Sequence, residues 1–381
     1  MSNLPKVYAI YDKCYDGNPH HNRSVESSDS EDYTSLNSPS SVEYSDDQEY
    51  QEDENFESYD WYPDVLVLGP GGVKGTLELG ALYILHEKKL LDDIHTYAGV
   101  SVGAIISLLI IVGYSIKEII VITVDTNILQ DVENFNLFSA SSNGGLISSD
   151  PIRRKLMSLV TNKMGLVPTL KQLYRATGLA LVTIAHNMTK DETEYFDPFI
   201  TPNISCVDAV MLSINMPIVF YRLVYDNNVY VDGALGNPYP INYFDELGRY
   251  NILGLYIKNG KRFVSNSSEL LYQTNINNVA YISKLIDTPM EQHRYTIIRN
   301  SSDRCKHIEL NTDVIDSIGI TVTAQQKADM IIAGLKEGKA FAASLEKGTY
   351  KSPVKPMLLY GMLAEHEKIE DLSILDEMNK I

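Results

Sequence analysis

This 381-residue chain is poor in cysteine, in positive charge and in unbroken apolar stretches. Its three cysteines, Cys14, Cys206 and Cys305, are scattered without paired spacing. That excludes a disulfide framework and a cysteine-based metal site, and it fits a reducing compartment. Lys and Arg number 32 against 50 Asp and Glu, a formal net charge of −18, with no clustered basic stripe. Nucleic acid is therefore excluded as a partner. The same acidity opposes electrostatic adsorption to anionic membranes, so any lipid would have to be reached by apolar contact, by capture of single molecules or through a partner. The apolar run from Ala104 to Val112 is too short to span a bilayer, and Lys117 and Glu118 interrupt the pattern before Ile119 to Val124. The first residues lack the basic flank and apolar core of a secretory signal. An intracellular, cytoplasmic setting with transient peripheral membrane contact is the expectation. There is no calcium loop of the EF-hand pattern, so neither metal nor cofactor is expected.

From Arg23 to Asp60 the chain is dense in Ser, Asp, Glu and Tyr, with clusters such as Asp46-Asp47 and Glu52-Asp53-Glu54. Such a stretch cannot bury enough apolar surface to offset chain entropy. Residues 1–60 are expected as a largely disordered acidic N-terminal segment. Within it, Val7 to Tyr11 has the makeup of an edge strand or of a loose terminus. One large domain is expected over residues 61–350, followed by a tail over 351–381. Its strands are predicted at Asp64–Leu68, Ile94–Ala98, Ala180–Ile184, Thr193–Phe196 and Asn251–Ile257. Phe220–Val224 and Val229–Val231, around the turn Asp226-Asn227-Asn228, suggest a hairpin. Helices are predicted at Thr76–Lys88, Val102–Val112, Cys206–Asn215 and Gln325–Glu346. This alternation gives an α/β domain with its sheet covered on both faces and its site at the carboxyl ends of strands. The apolar and aromatic residues of Ser265 to Tyr295 suit either the wall of an acyl-chain pocket or ordinary helix packing.

Against this background three segments carry chemistry. Gly99-Val100-Ser101-Val102-Gly103 is a G-x-S-x-G pentapeptide between a predicted strand and an apolar helix. Residues without Cβ on either side permit the sharp turn that exposes a nucleophilic hydroxyl. Gly69-Pro70-Gly71-Gly72-Val73-Lys74-Gly75 is a glycine-rich loop between another strand and helix. Lys74 precedes Gly75 instead of following the last glycine, so it is not a Walker loop, and the sixth position from Gly69 is Lys, so it is not a dinucleotide fingerprint. The remaining use for its free N–H groups is an oxyanion hole, with Gly71 and Gly72 as donors. Pro70 has no N–H to give. Lys74 either adds positive charge to that hole or is a solvated cation at the helix start. Tyr230-Val231-Asp232-Gly233-Ala234 places an acid before a glycine turn, which alone reads as a turn-former and beside a catalytic serine reads as a base. A Ser–Asp–His triad is the rival. His186, His293, His307 and His366 follow Ser101, but none sits in a motif, and the first three read as surface or turn residues.

These segments, in this order and rough spacing, resemble the patatin-like phospholipase family. The matching residues are Gly71-Gly72-Val73-Lys74-Gly75, Gly99-Val100-Ser101-Val102-Gly103 and Asp232-Gly233-Ala234. Ser213-Ile214-Asn215-Met216-Pro217 with Phe220, and Asn237 and Pro240 after the acid, are similar as well. The resemblance covers about Asp64 to Lys347. It departs at Pro70, where the family's glycine motif begins with Gly, which leaves the fine geometry of that loop open. The resemblance implies a three-layer α/β/α fold around a central, mostly parallel sheet. It also implies a Ser101–Asp232 dyad acting on phospholipid or other acyl esters through an acyl-enzyme. Gly71 and Gly72 would form the oxyanion hole, with Lys74, Gly75, Gly99, Gly103 and Gly233 in support. A catalytically silent module that binds lipid or a protein partner is the other class of function. The intact serine, aspartate and paired glycines favour hydrolysis.

Overall fold

In a computed structural model of the chain, residues 59–125, 144–259, 278–312 and 322–354 are described. The expectations for residues 1–58, including the Val7–Tyr11 strand, for residues 355–381, and for the wall at residues 265–277 lie outside them. In chain order the strands are β1 Val65–Leu68, β2 Thr96–Gly99, β3 Gly145–Ile147, β4 Ala180–Asn187, β5 Glu192–Phe196, β6 Ile218–Phe220, β7 Leu223–Tyr225, β8 Asn228–Asp232, β9 Ile252–Asn259 and β10 Cys305–Thr312. The helices are α1 Gly75–Glu87, α2 Val102–Ile111, α3 Ile116–Asp125, α4 Asp150–Met164, α5 Leu170–Thr177, α6 Cys206–Ser213, α7 Ile241–Asp245, α8 Asn278–Asn300 and α9 Ala324–Glu346.

Local chemistry explains many of these boundaries. Thr169 and Gln172 close a capping box at the start of α5, and left-handed Gly178 ends it. Thr323 and Gln326 do the same for the start of α9. Asp226 and Asn227 take positive φ between β7 and β8, as a two-residue hairpin of this twist requires.

The main sheet runs β10-β9-β1-β2-β4-β8-β7, and β5 also pairs with β4. From β10 to β4 the pairings are parallel, whereas β8, β7 and β5 run antiparallel to their neighbours. Alternation along β1 supplies two cores. Leu66 and Leu68 enter one with Leu77, Leu82, Leu108 and Leu255. Val65 and Val67 enter the other with Tyr239, Phe244 and Ile298. Apolar side chains on both faces demand helices on both faces, which makes a three-layer α/β/α domain. Helices α1 and α9 approach at backbone distance. A Cβ on Gly334 would lie 2.0 Å from the Leu77 carbonyl oxygen, and one on Gly80 would lie 2.1 Å from that of Ile331.

Two expectations shift. The strand expected at Phe220–Val224 is broken, because Phe220 pairs with Ile147 of β3 while Leu223 pairs with Tyr230 of β8. A change of partner ends one strand and begins another. The strand expected from Ile94 starts at Thr96 instead; the Ile94 N–H is engaged in a turn, donating to the Leu91 carbonyl.

Candidate active site

The serine turn and the acid turn meet along one edge of β4. Thr183 pairs with both Gly99 of β2 and Phe196 of β5, and Ala185 pairs with both Asp232 of β8 and Glu194 of β5. A residue has only two edges to offer, and β5 occupies one throughout. Therefore β2 and β8 share the other. Running in opposite directions, they meet with carboxyl ends facing. Their last partners on β4 are two residues apart, about 7 Å of strand. Val100 and Ala234, neighbours of Ser101 and Asp232, pack together with Ile184 of β4 in one buried apolar cluster.

Ser101 has φ 55° and ψ −124°, a conformation that side-chain-bearing residues rarely adopt. Its turn is tight on both sides. A Cβ on Gly99 would lie 2.4 Å from the Ala104 nitrogen, and one on Gly103 would lie 2.4 Å from the Leu68 carbonyl oxygen. Ser101 is 7 % exposed at the start of α2, where the positive end of the helix dipole lies beneath it. Its backbone N–H donates to Ser213 Oγ over 3.1 Å.

Asp232 is 0 % exposed. Oδ1 accepts from the Ala234 N–H at 2.9 Å, while Oδ2 has no hydrogen-bond partner of full geometry among the described residues. Burial raises the carboxyl from 3.8 to about 6, against the opposing pull of the nearby Ser101 hydroxyl and the Ala234 N–H. A carboxylate with a neutral-side pKa and a free lone pair is able to accept a proton. Its own backbone N–H donates to the Asn215 carbonyl at 2.9 Å. Gly233 lets the chain cross β4 closely, since a Cβ there would lie 2.1 Å from the Ile184 carbonyl oxygen.

The glycine loop joins this pair from β1. Gly72 takes φ +55° and opens a 3₁₀ turn over Gly72–Lys74 that runs into α1. N–H groups at such a start have no intrahelical acceptor. Gly75 brings the loop against the serine turn; a Cβ there would lie 2.7 Å from a Val102 methyl. Lys74 is 6 % exposed, which removes the reading of a solvated cation at the helix start.

The described histidines that follow Ser101 stand apart, and His366 lies outside the described residues. His186 follows Ala185 on β4, so its ring points to the opposite face of the sheet from the Asp232 partner. Its Nε2 lies 3.7 Å from Asp191. His293 is exposed on α8. His307 corrects the surface reading: it is 3 % exposed, with Nδ1 3.1 Å from Tyr239 Oη and Nε2 3.0 Å from Ser301 Oγ. Burial lowers it from 6.5 to about 4, so the ring is neutral. Ser213 and Asn215 are the residues that sequence reasoning passed over. They sit in the quoted Ser213–Pro217 segment without an assigned role, and they hold the backbones of Ser101 and Asp232. Among the described residues, no group of three or more His, Cys, Asp or Glu side chains is placed to hold a metal ion, and no helix is long and apolar enough to cross a membrane.

Residues 66–245 match the family model described as patatin-like phospholipase. That stretch, just under half of the chain, is similar to a patatin-like phospholipase domain. Two viral proteins are similar to the chain. Probable lipid hydrolase 463L of Invertebrate iridescent virus 6 is 33% identical over 184 residues, 48% of this chain and 63% of that protein. Protein R571 of Acanthamoeba polyphaga mimivirus is 26% identical over 282 residues, 72% of this chain and 92% of that protein. The match thus spans less than two thirds of the iridescent virus protein. Among solved structures, VipD from Legionella pneumophila aligns with a TM-score of 0.45 at 17% identity, covering 74% of this chain and 67% of that one. The type III effector ExoU aligns with a TM-score of 0.41 at 15% identity, covering 76% of this chain and 54% of that one. Within residues 66–245 fall Ser101, Asp232 and every glycine of the expected site.

Proposed function

We propose that this chain is a lipid acyl hydrolase, acting on phospholipid or related carboxylic esters through a Ser101–Asp232 dyad. Ser101 Oγ attacks the ester carbonyl while its proton passes to Asp232. The tetrahedral oxyanion is held by the N–H groups of Gly71 and Gly72. Collapse expels the alcohol, which takes the proton from Asp232 and leaves an acyl-enzyme. Water then attacks the acyl carbon, gives its proton to Asp232, and the fatty acid leaves as the proton returns to Ser101. The observation that carries this reading is the facing of β2 and β8 along β4, with a strained serine at one end and a buried, half-satisfied acid at the other. The match to the patatin-like family model and the likeness to a probable lipid hydrolase support the substrate class.

The test is fatty-acid release from a short-chain chromogenic ester and from mixed phospholipid vesicles, followed by mass spectrometry. Wild-type protein releases product, and Ser101→Ala, folded by circular dichroism, loses at least about a thousandfold in rate. Equal rates in the two proteins refute the assignment.

A further inference from the structure

The strand that delivers Asp232 is gripped at its end by a side-chain amide to which the proposed mechanism gives no part. Met188 donates its N–H to the Val229 carbonyl at 2.8 Å, so Val229 turns its backbone groups toward the β4 edge of β8. Alternation then turns those of Tyr230 and Asp232 toward the other edge. There β7 reaches only as far as the Leu223–Tyr230 pair. Asn215 takes the next place. Its carbonyl accepts the Asp232 N–H at 2.9 Å, and its Nδ2 donates to the Tyr230 carbonyl at 3.0 Å. One residue thus holds the last two edge-facing residues of β8, as a neighbouring strand would.

Asn215 is itself fixed. It is 2 % exposed and lies between α6 and β6. On one side the Ile214 N–H donates to the Val210 carbonyl of α6 at 3.1 Å. On the other, β6 is paired to β3 through Ile218 with Gly145 and Phe220 with Ile147. Two residues before Asn215, Ser213 Oγ accepts the Ser101 N–H. Ser213 to Asn215 therefore touch the serine turn at one end and the acid strand at the other. Asn215 Oδ1 has no hydrogen-bond partner among the described residues. An apolar side chain would avoid that cost, so what the amide contributes here is the Nδ2 bond to β8. The direction of the Asp232 carboxyl follows from the backbone that carries it, and the Ala234 N–H can orient the group only once that backbone is set. We infer that the Asn215 side chain is a positioning group: by clamping Tyr230 on the edge that β7 leaves, it holds the end of β8 so that the Asp232 carboxyl meets the Ser101 hydroxyl. This rests on the Ser101–Asp232 dyad of the proposed function.

The experiment compares full-length wild type, Asn215→Leu and Asn251→Ala in ester kinetics from about pH 4.5 to 8, thermal melting, and amide hydrogen exchange of the peptide carrying residues 228–235. Leu keeps the branching of Asn and the backbone carbonyl that serves Asp232, and it removes the Nδ2 donor. Asn251 is the control. Its Nδ2 donates to the Tyr62 carbonyl at 3.0 Å, the same kind of bond, but just before β9 at the amino end of the parallel strands, opposite the site. Asn215→Leu is expected to lose about ten- to a hundredfold in kcat with KM changed less than about twofold, and to exchange faster over 228–235. The midpoint of its pH profile is expected below that of wild type, because a looser strand admits water to a carboxyl that burial raises to about 6. Asn251→Ala is expected within about twofold of wild type in kcat, with the same midpoint, whatever its melting temperature. Wild-type kcat and midpoint in Asn215→Leu overturn the inference, as does an equal loss in Asn251→Ala. If Asn215→Leu does not fold, Asn215→Ala replaces it, and failure of both makes the residue structural and overturns the positioning role. Absence of Ser101-dependent turnover in wild type overturns the hydrolase reading and this inference with it. Wild-type turnover that Asn215→Leu leaves intact overturns this inference alone.

Discussion

Replacing Asp232 by Asn separates catalysis from stability in a way that only a desolvated base allows. In the unfolded chain this carboxyl ionises near 3.8, and in the folded domain burial raises it to about 6. The folded state therefore holds the proton more tightly. The contribution of this group to stability is full below about pH 4, is lost as pH rises through about 6, and is constant above that. Two pK units correspond to about 3 kcal/mol of destabilisation near pH 7. Asn keeps an oxygen for the Ala234 N–H and carries no charge. Asp232→Asn is expected to gain about 1–3 kcal/mol in urea unfolding near pH 7, with the gain vanishing near pH 4. Its ester turnover is expected to vanish throughout, because an amide accepts no proton. Wild-type kcat/KM, measured from about pH 4.5 to 8, should rise with a midpoint near 6, so that at about pH 5 it is roughly a tenth of its plateau. A flat profile through this range, or an Asn variant less stable than wild type near neutrality, refutes the assignment of Asp232 as the base.

Two further outcomes are expected. Ser213→Ala removes the acceptor of the Ser101 N–H. Leaving a buried donor unpaired costs about 1–3 kcal/mol in denaturant unfolding; kcat falls with KM little changed, and an unaltered kcat means that the serine turn needs no such support. Turnover should be unchanged after dialysis against a strong chelator, because the proton acceptor in the proposed mechanism is a side chain; loss of activity restored by a divalent cation counts against that mechanism.

The parts of this domain written in short range were legible. Val65 to Leu68 reads as a strand because its residues are β-branched or apolar on both faces, and the structure buries all four. The glycines at 99 and 103 read as a tight turn because nothing larger fits, and adjoining backbone and side-chain atoms lie within 3 Å of where a Cβ would be. What the sequence hides is pairing between distant segments. Nothing in Val229 to Asp232 says that β8 will continue along the edge of β4 that β2 has left, yet that placement brings residue 232 to residue 101. The same blindness hid His307. Its local sequence gave it a surface reading, and only the arrival of Tyr239 over Gly254, where a Cβ would meet the phenol oxygen at 1.9 Å, encloses it in a core.

Two departures from local rules mark the candidate site. Most of the domain obeys propensity, capping and patterning, with apolar strands in two cores and helices closed by ordinary caps. The two departures face each other along one edge of β4: a serine with positive φ and an aspartate with one oxygen unpartnered at full burial. Each carries a free-energy cost, of order 1–3 kcal/mol for the strained backbone and a similar amount for the unsatisfied group. Against a net stability of only about 5–15 kcal/mol for a typical domain, two such costs in facing turns are a substantial fraction. In the proposed mechanism the strained serine is the nucleophile and the desolvated acid its base, so both costs serve a reaction that needs no histidine.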